Sequence, residues 1–318
     1  MSKENLPIYV TKPYLPPLKE FDEYLQDIWH TKLITNQGKY HQELEKELCD
    51  YLGVNYISLF ANGTLALAVA LKALNLNGEV ITTPFSFPAT ANVLCWHQIK
   101  PVFVDIEDDT LNLDPGKIEK AITKNTTAIM PVHVFGHPCQ VLVLQNIANH
   151  YKLKIIYDAA HAFGVELKGN SILNFGDLSV LSFHATKVFN TFEGGAIVCH
   201  DKATKEKIDN LKNFGITDEI TVVATGINAK MNEFQAALGL LQLKYIDRAI
   251  SKRREIATLY REKLNGLDSI KCFEDREGVK YNYAYFPILI NKELGGKSRD
   301  YIYEDLKKYS ISVALHKN

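Results

Sequence analysis

The sequence of 318 residues predicts an α/β protein built around a mostly parallel β-sheet. One observation is that short apolar segments, typical of buried strands, alternate with segments of helical pattern along most of the chain. Another is that the strand-like segment Tyr56–Phe60 is followed directly by Asn62-Gly63-Thr64, which begins a helix rich in alanine and leucine. Because strands joined through helices run parallel, this alternation predicts one sheet covered by helices.

The elements follow in order after an N-terminal arm. The residues up to about Tyr40 are rich in proline and predict an extended arm with a short helix near Phe21–Trp29. Strands are predicted at Tyr56–Phe60, Glu79–Thr82, Pro101–Val104, Thr127–Pro131, Lys154–Tyr157, Leu178–Phe183 and Gly195–Cys199. Helices are predicted from Gln42, from Asn62 to about Leu74, and at Ala89–Trp96, Pro115–Ile122 and Val141–His150.

The last part of the chain predicts a smaller α+β domain. One long helical stretch is expected over Asn232–Leu264. It is followed by two strand-like segments, a helix and a final extended segment, at Ile270–Phe273, Tyr283–Ile290, Ser298–Tyr309 and Ile311–Leu315. We therefore expect a large domain with the arm at residues 1–245 and a small domain at residues 246–318.

Composition restricts the classes of function. Lysine and arginine number 36 against 37 aspartates and glutamates, so no global field would recruit nucleic acid or an anionic membrane. The five cysteines form no paired motif, which argues against a disulfide framework or a zinc site and favours a reducing, cytoplasmic setting. No apolar run approaches the roughly 18 residues of a spanning helix. We expect a small-molecule partner.

Lys187 is the first candidate for chemistry. It closes the segment Ser182-Phe183-His184-Ala185-Thr186-Lys187, directly after an apolar strand and before Glu193-Gly194-Gly195. A lysine at a strand end can project into a cleft at the edge of the sheet. Taken alone, this pattern also fits a surface lysine. A second residue, Asp158, strengthens the hypothesis that Lys187 takes part in chemistry.

Asp158 ends the strand Ile155–Tyr157 and is followed by the small residues Ala159 and Ala160. An acid at a buried strand end needs a cationic partner, and a protonated pyridine nitrogen would serve. A carboxylate there keeps such a ring positively charged and able to accept electrons. The alternative is that Asp158 only caps the following turn.

A phosphate site is indicated where Gly63 and Thr64 begin a helix after a strand. Backbone N–H groups, a hydroxyl and the positive end of the helix dipole meet there. Ser182 offers a second hydroxyl, and Phe87 offers a ring that can stack on a planar cofactor. An ordinary helix cap and a core aromatic are the alternatives for these positions.

These segments together resemble the DegT/DnrJ/EryC1/StrS aminotransferases, which make amino sugars from nucleotide-linked keto sugars. The match extends from about residue 10 to 245 and rests on an ordered series of motifs: Asn62-Gly63-Thr64, Thr83-Pro84-Phe85-Ser86-Phe87, Pro101–Ile106, Pro131-Val132-His133, Asp158–His161, Ser182–Lys187, Glu193-Gly194-Gly195 and Gly226–Met231. The resemblance implies the fold type I architecture of pyridoxal 5′-phosphate (PLP) enzymes, with a seven-stranded, mostly parallel sheet. It also implies a homodimer with active sites at the subunit interface.

The resemblance further implies a role for each matching residue. Lys187 is the Schiff-base lysine, Asp158 the partner of the pyridine nitrogen, and His161 lies against the cofactor ring. The PLP phosphate is held by Gly63, Thr64, Leu65 and Ser182, and Phe87 takes the stacking position. Asn228 supplies the contact from the other subunit. Lys230 is a basic contact to phosphate or substrate, and His184 is a histidine beside the lysine.

The implied reaction moves an amino group from an amino acid, glutamate, to a nucleotide-linked keto sugar. Within the family the resemblance is closest to enzymes that aminate C4 of dTDP-4-keto-6-deoxyglucose, as in O-antigen lipopolysaccharide biosynthesis. Three alternatives remain open at this point: a PLP-dependent sugar dehydratase, which has histidine in place of Lys187; a non-catalytic PLP-binding protein; and an enzyme of amino acids alone, which needs an arginine clamp in the second domain. Because family members usually continue beyond Asn318, we expect the small domain to be incomplete.

Overall fold

The computed structural model describes residues 7–316. Its large sheet has seven strands in the order β1-β9-β8-β5-β4-β2-β3. These strands are β1 (Tyr56–Phe60), β2 (Glu79–Thr82), β3 (Lys100–Phe103), β4 (Thr126–Ile129), β5 (Lys154–Asp158), β8 (Leu178–Ser182) and β9 (Gly195–Cys199). All neighbours from β8 to β3 are parallel, while β9 is antiparallel to both β8 and β1. The predicted seven-stranded, mostly parallel sheet is confirmed.

Five short strands form two smaller sheets. The strands β6 (Glu166–Leu167), β7 (Asn170–Ser171) and β11 (Val279–Lys280) make one, and β10 (Ile270–Cys272) with β12 (Ile288–Ile290) makes the other. The helices of the described residues are α1 (Leu18–Thr31), α2 (Lys39–Leu52), α3 (Gly63–Ala73), α4 (Pro88–Trp96), α5 (Pro115–Ile118), α6 (Val141–Tyr151), α7 (Lys202–Leu211), α8 (Glu233–Leu243), α9 (Ile246–Leu264), α10 (Lys292–Gly295) and α11 (Arg299–Lys307). Between residues 7 and 316 we find no helix with the length and apolarity needed to cross a bilayer.

Alternate residues of each strand face opposite sides of the large sheet, as the period of two requires. On β5, Ile155 and Tyr157 join the core that contains buried residues of α1, α2, α6 and α8, while Ile156 joins the core formed with α3, α4 and α7. The sheet is therefore buried on both faces, which explains why its strands are continuous apolar runs in the sequence.

The prediction of one long helix over Asn232–Leu264, after the sheet, was wrong. Two helices, α8 and α9, are separated at Lys244-Tyr245. The amides of these two residues bond to carbonyls three positions back, which tightens the last turn. The Tyr245 hydroxyl bonds to Glu20 of α1, so a contact to the N-terminal part of the chain lies at the break.

Two further expectations needed correction. The predicted strand Tyr283–Ile290 is regular only over Ile288–Ile290, because Tyr283 has a positive φ of 50° and the Ala284 carbonyl accepts a hydrogen bond from Arg253 rather than from a strand. Helix α7 was missed, although Asp201 gives its start signal by accepting a hydrogen bond from the Thr204 amide at 2.9 Å. Both errors lie outside the central strands. The domain boundary after residue 245 stays a prediction.

Stability is expected to fall on acidification because His41 is buried. Only 1% of this residue is exposed, and neither ring nitrogen has a hydrogen-bond partner among the described residues. Burial, aided by the charge of Lys212, lowers the pKa of His41 to about 4, against about 6.5 in an unfolded chain. Between these values the unfolded state binds the extra proton. Stability is therefore complete above pH of about 6.5 and is lost as the pH falls toward 4.

We expect the free energy of unfolding to fall by up to about 1.4 kcal/mol per pH unit on account of this one residue. Urea unfolding measured between pH 7 and pH 4.5 checks this on wild type and His41→Leu, and the variant should show the shallower slope. The exposed His30→Gln is the matched control. An unchanged slope in His41→Leu would contradict the assignment.

Candidate active site

Asp158 lies at the carboxyl end of β5, between β4 and β8, and is only 5% exposed. Its Oδ2 accepts a hydrogen bond from Thr90 Oγ1 at 2.7 Å, and its Oδ1 accepts one from the Ala160 amide at 3.1 Å. Burial raises the pKa of Asp158, while these two donors and the charge of Lys187 oppose that change. The carboxylate is thus held in one orientation with too little positive charge beside it to offset its burial.

Lys187 follows β8 in a turn in which its own amide bonds to the His184 carbonyl at 2.8 Å. The side chain is half-buried, and burial lowers the pKa of its amine, against the charge of Asp158, which raises it. The structure therefore brings the two central residues of the sequence analysis into one electrostatic environment. A buried amine of lowered pKa is more readily deprotonated than a surface lysine.

His161 stands beside this pair. Its Nδ1 accepts a hydrogen bond from the Phe135 amide at 3.1 Å, and its ring lies parallel to that of Phe135. Burial, with Lys187 next, lowers the pKa of His161 to about 3, so the imidazole is neutral near pH 7. Because Nδ1 is the acceptor, the ring proton belongs on Nε2.

The first turn of α3 lies against the end of β8. A Cβ placed on Gly63 would be 3.1 Å from Ser182 Cβ, so the predicted phosphate residues of the two segments meet. The Asn62 side chain accepts a hydrogen bond from the Leu65 amide at 2.9 Å. The first-turn amides of Gly63 and Thr64 have no carbonyl partner within a helix, and the part of the chain described here provides no other acceptor for them.

Gly195 makes this close approach possible. A Cβ on Gly195 would lie 2.7 Å from both the Asn62 carbonyl carbon and the Gly63 nitrogen, which are backbone atoms that cannot move away easily. Only glycine lets the start of α3 rest directly on β9. The Gly194-Gly195 motif therefore positions the helix N-terminus relative to the segment that carries Lys187.

The remaining predicted residues lie at the periphery. Phe87 is 75% exposed and occupies the N-cap position of α4, one turn before Thr90, without a capping hydrogen bond from its side chain. Asn228 is exposed, and its Oδ1 accepts a hydrogen bond from Lys230 Nζ at 2.9 Å. Among the described residues, Asn228 makes no hydrogen bond to any other predicted site residue. His184 Nδ1 is 2.8 Å from Thr186 Oγ1, so this histidine contacts the segment that carries Lys187.

Sequence reasoning missed two residues of the site. Thr90 orients the Asp158 carboxylate, and its available signal was its place one helical turn after Phe87, just beyond the motif Thr83–Phe87. Tyr285 lies with its ring centroid 5.9 Å from Lys187 Nζ and 4.9 Å from the His161 ring. No local sequence pattern indicates that Tyr285 belongs to the site, because it lies in the C-terminal part of the chain, far from Lys187 in the sequence.

The sequence profile of the DegT/DnrJ/EryC1/StrS aminotransferase family matches residues 18–318. The chain belongs to this family. Two curated relatives are both named dTDP-4-amino-4,6-dideoxy-D-glucose transaminase. The protein from Shigella dysenteriae is 55% identical over 96% of this chain and 83% of its own length, and the one from Escherichia coli is 52% identical over 98% and 83%. The family assignment made from the motifs is confirmed.

Solved structures of other aminotransferases share the fold. A crystal structure of DesI in the presence of its TDP-sugar product superposes with a TM-score of 0.92 at 34% identity, covering 96% of this chain and 78% of that one. The PLP form of the sugar aminotransferase Spr1654 from Streptococcus pneumoniae gives a TM-score of 0.88 at 25% identity, covering 96% and 84%. As a member of this family of transaminases, the chain is an aminotransferase with the fold type I architecture.

The residues present fit the cofactor that the family implies. The buried Asp158 carboxylate lacks sufficient positive charge, Lys187 offers an amine of lowered pKa, and the first turn of α3 offers amides beside the Ser182 hydroxyl. A pyridinium nitrogen, an aldehyde and a phosphate are the chemical groups that these three features would bind.

Proposed function

We propose that this protein is a PLP-dependent aminotransferase that transfers an amino group from glutamate to C4 of dTDP-4-keto-6-deoxyglucose. The observation that carries the proposal is that the buried Asp158 carboxylate and the Lys187 amine lie close enough for each charge to affect the pKa of the other group. The choice of sugar is supported by the 55% identity to a relative that is named for the corresponding amino sugar. When bound, PLP supplies an electron sink for the carbon from which a proton is removed.

Asp158 would keep the ring nitrogen of the cofactor protonated. Its carboxylate is expensive to ionise without a cationic partner, and a pyridinium N–H in contact supplies that partner. Thr90 and the Ala160 amide occupy one lone pair on each oxygen, so they orient the carboxylate without neutralising it.

Lys187 would be the residue that links to the cofactor and, once displaced by the donor, moves the proton. Its lowered pKa increases the fraction of neutral amine near pH 7, which is the form that attacks a carbonyl and accepts a proton. This role needs a lysine, and a dehydratase with histidine at that position does not fit the chain.

The phosphate would bind to the Gly63 and Thr64 amides and to the hydroxyls of Thr64 and Ser182. The Leu65 amide already donates a hydrogen bond to the Asn62 side chain at 2.9 Å, so it would bind the phosphate only if that hydrogen bond is broken. Phe87 and His161 would contact the ring. Phe87 has 75% of its surface open to a ligand, and His161 is neutral and therefore does not repel a cationic ring.

The substrate assignment is tested with a panel of dTDP-, UDP- and GDP-linked 4-keto sugars, each incubated with the PLP-loaded protein and glutamate. Mass spectrometry should detect the amino sugar from dTDP-4-keto-6-deoxyglucose, and NMR of the product should place the nitrogen at C4. If only UDP- or GDP-linked sugars are aminated, the assignment of dTDP as the nucleotide would be rejected. No turnover with any sugar, although PLP binds, would favour a non-catalytic PLP-binding protein.

We propose that the active form is a homodimer in which Asn228 completes the partner's phosphate site. Asn228 lies at the base of a protruding segment, residues 213–228, whose ends pair as Asn213 with Asn228. Apolar side chains on this segment are exposed, with Ile220 at 93%, Val222 at 66% and Val223 at 59%. An exposed apolar segment beside polar residues is typical of an interface.

Asn228→Ala is expected to weaken PLP binding by about tenfold or more, because a hydrogen bond to a charged phosphate is lost, while the monomer fold persists. Cofactor affinity is measured by fluorescence titration, and the oligomeric state by sedimentation. Asn213→Ala is the matched control, since Asn213 Oδ1 also accepts a hydrogen bond from Lys230 Nζ, at 2.8 Å. A monomer that retains PLP and transaminates would reject the shared site.

A further inference from the structure

A tyrosine from the C-terminal part of the chain lies against the Lys187 segment. We propose that Tyr285 is a positioning residue, whose ring holds the Lys187 amine in the cleft and favours its ammonium form. This inference rests on the proposed function only for the role of Lys187; the contacts themselves belong to the chain.

The ring of Tyr285 is confined on several sides. Its centroid is 5.9 Å from Lys187 Nζ, 4.9 Å from the centroid of the His161 ring and 5.8 Å from that of Phe135. Burial raises the pKa of the Tyr285 phenol, so the hydroxyl stays neutral near pH 7. A neutral aromatic ring near an ammonium attracts it through the negative face of the π-system.

The segment that carries the lysine also has polar contacts of its own. The Thr186 side chain opposes the effect of burial on the pKa of the Tyr285 phenol. Thr186 Oγ1 is 2.8 Å from His184 Nδ1, and His184 Nε2 is 3.6 Å from Glu193 Oε1. Polar contacts therefore run from the exposed Glu193 through His184 to Thr186, in the turn that ends at Lys187.

Several other groups act on the protonation of Lys187 or of the residues around it. Asp158 favours the ammonium form, and burial disfavours it. Burial, followed by the charges of Lys187 and His316, lowers the pKa of His161. Burial raises the pKa of Tyr285, and the charge of Arg253 opposes that change. Among the described residues, Asp158 is the one carboxylate that raises the pKa of Lys187. The ring of Tyr285 therefore adds to the effect of Asp158 and stabilises the ammonium form against burial.

The test measures the pKa of Lys187 directly in the full-length chain. Competitive labelling with acetic anhydride at a series of pH values, followed by peptide mass spectrometry, gives the pKa of that amine without any turnover. Tyr285→Leu removes the ring and is expected to lower the pKa of Lys187 by about 0.5 to 1. Tyr285→Phe keeps the ring and should stay within about 0.3 of wild type by the same reasoning.

Tyr283→Phe is the matched control, because Tyr283 donates its hydroxyl to Asp275 Oδ2 at 2.6 Å and its loss leaves the Lys187 segment untouched. In the PLP-loaded protein, Tyr285→Leu should also shift the pH titration of the cofactor's visible absorbance and lower kcat by about ten- to hundredfold, as misplaced catalytic groups do. Tyr285→Met replaces the leucine variant if that variant does not fold.

A Lys187 pKa equal to wild type in folded Tyr285→Leu or Tyr285→Met would overturn the proposal, as would an equal change in Tyr283→Phe. The outcome is separable from that of the proposed function. Failure to aminate any sugar would reject the reaction and leave the labelling result intact, whereas an unchanged Lys187 pKa would reject Tyr285 and leave the reaction intact.

Discussion

Lys187→Ala is expected to abolish transamination, with a loss of activity of at least about 10²–10⁴-fold, because the group that links to the cofactor and moves the proton is removed. The fold should survive, since the side chain is only half-buried and is not part of the hydrophobic cores. PLP should still bind without a covalent link, through the first turn of α3, Ser182 and Asp158. Borohydride reduction followed by peptide mass mapping checks the link in wild type and variant.

The matched control for this experiment is Lys202→Ala, whose side chain is 79% exposed on α7. It should keep full activity and the same labelled peptide as wild type. A pyridoxyl mass on any peptide other than the one that contains Lys187, or full activity of Lys187→Ala, would overturn the assignment.

Asp158→Asn is expected to retain PLP but lose most activity, because a neutral amide cannot keep the pyridine nitrogen protonated. Losing this charge-assisted hydrogen bond should weaken cofactor binding by about 1.5–3 kcal/mol, or roughly 10- to 150-fold in Kd. Binding is measured by absorbance titration and turnover by the glutamate-dependent assay. Near-normal turnover would show that Asp158 has another role.

A second readout works without the cofactor. Because burial raises the pKa of Asp158, ionising this group costs folding free energy, and the stability it contributes at low pH is lost as the pH rises through the folded pKa. Asp158→Asn should therefore raise the unfolding temperature of the cofactor-free chain at pH 7. Asp177→Asn is the control, because Asp177 caps the start of β5 through the Ile155 amide at 2.8 Å and lies away from the site. It should lower stability instead.

A stabilised Asp158→Asn protein with little activity would mean that the fold tolerates an unfavourable carboxylate for the sake of the cofactor. An Asp158→Asn variant that is less stable than wild type would instead indicate that Thr90 and Ala160 already compensate the buried charge within the chain.

Short-range patterns of the sequence determined most of the central sheet. Strands β1, β2 and β9 begin and end where the apolar runs do, and the other four differ by one or two residues at one or both ends. This agreement has a physical reason: a strand buried on both faces must be apolar throughout, and the turns beside it need residues such as Gly63 or Pro88. The ordered motifs around Lys187 and Asp158 likewise sufficed to predict the family.

Only the tertiary structure decided which distant residues meet. Thr90 contacts Asp158, Tyr285 contacts Lys187, and Tyr245 bonds to Glu20 at the point where the helical pattern is interrupted. Each of these contacts joins positions far apart in the chain, and none leaves a periodic signal, since a single polar or aromatic residue fits many local environments. Local propensity is worth under about 1 kcal/mol for an ordinary residue, whereas burying a polar group without a partner costs more, so the long-range partners prevail where the two disagree.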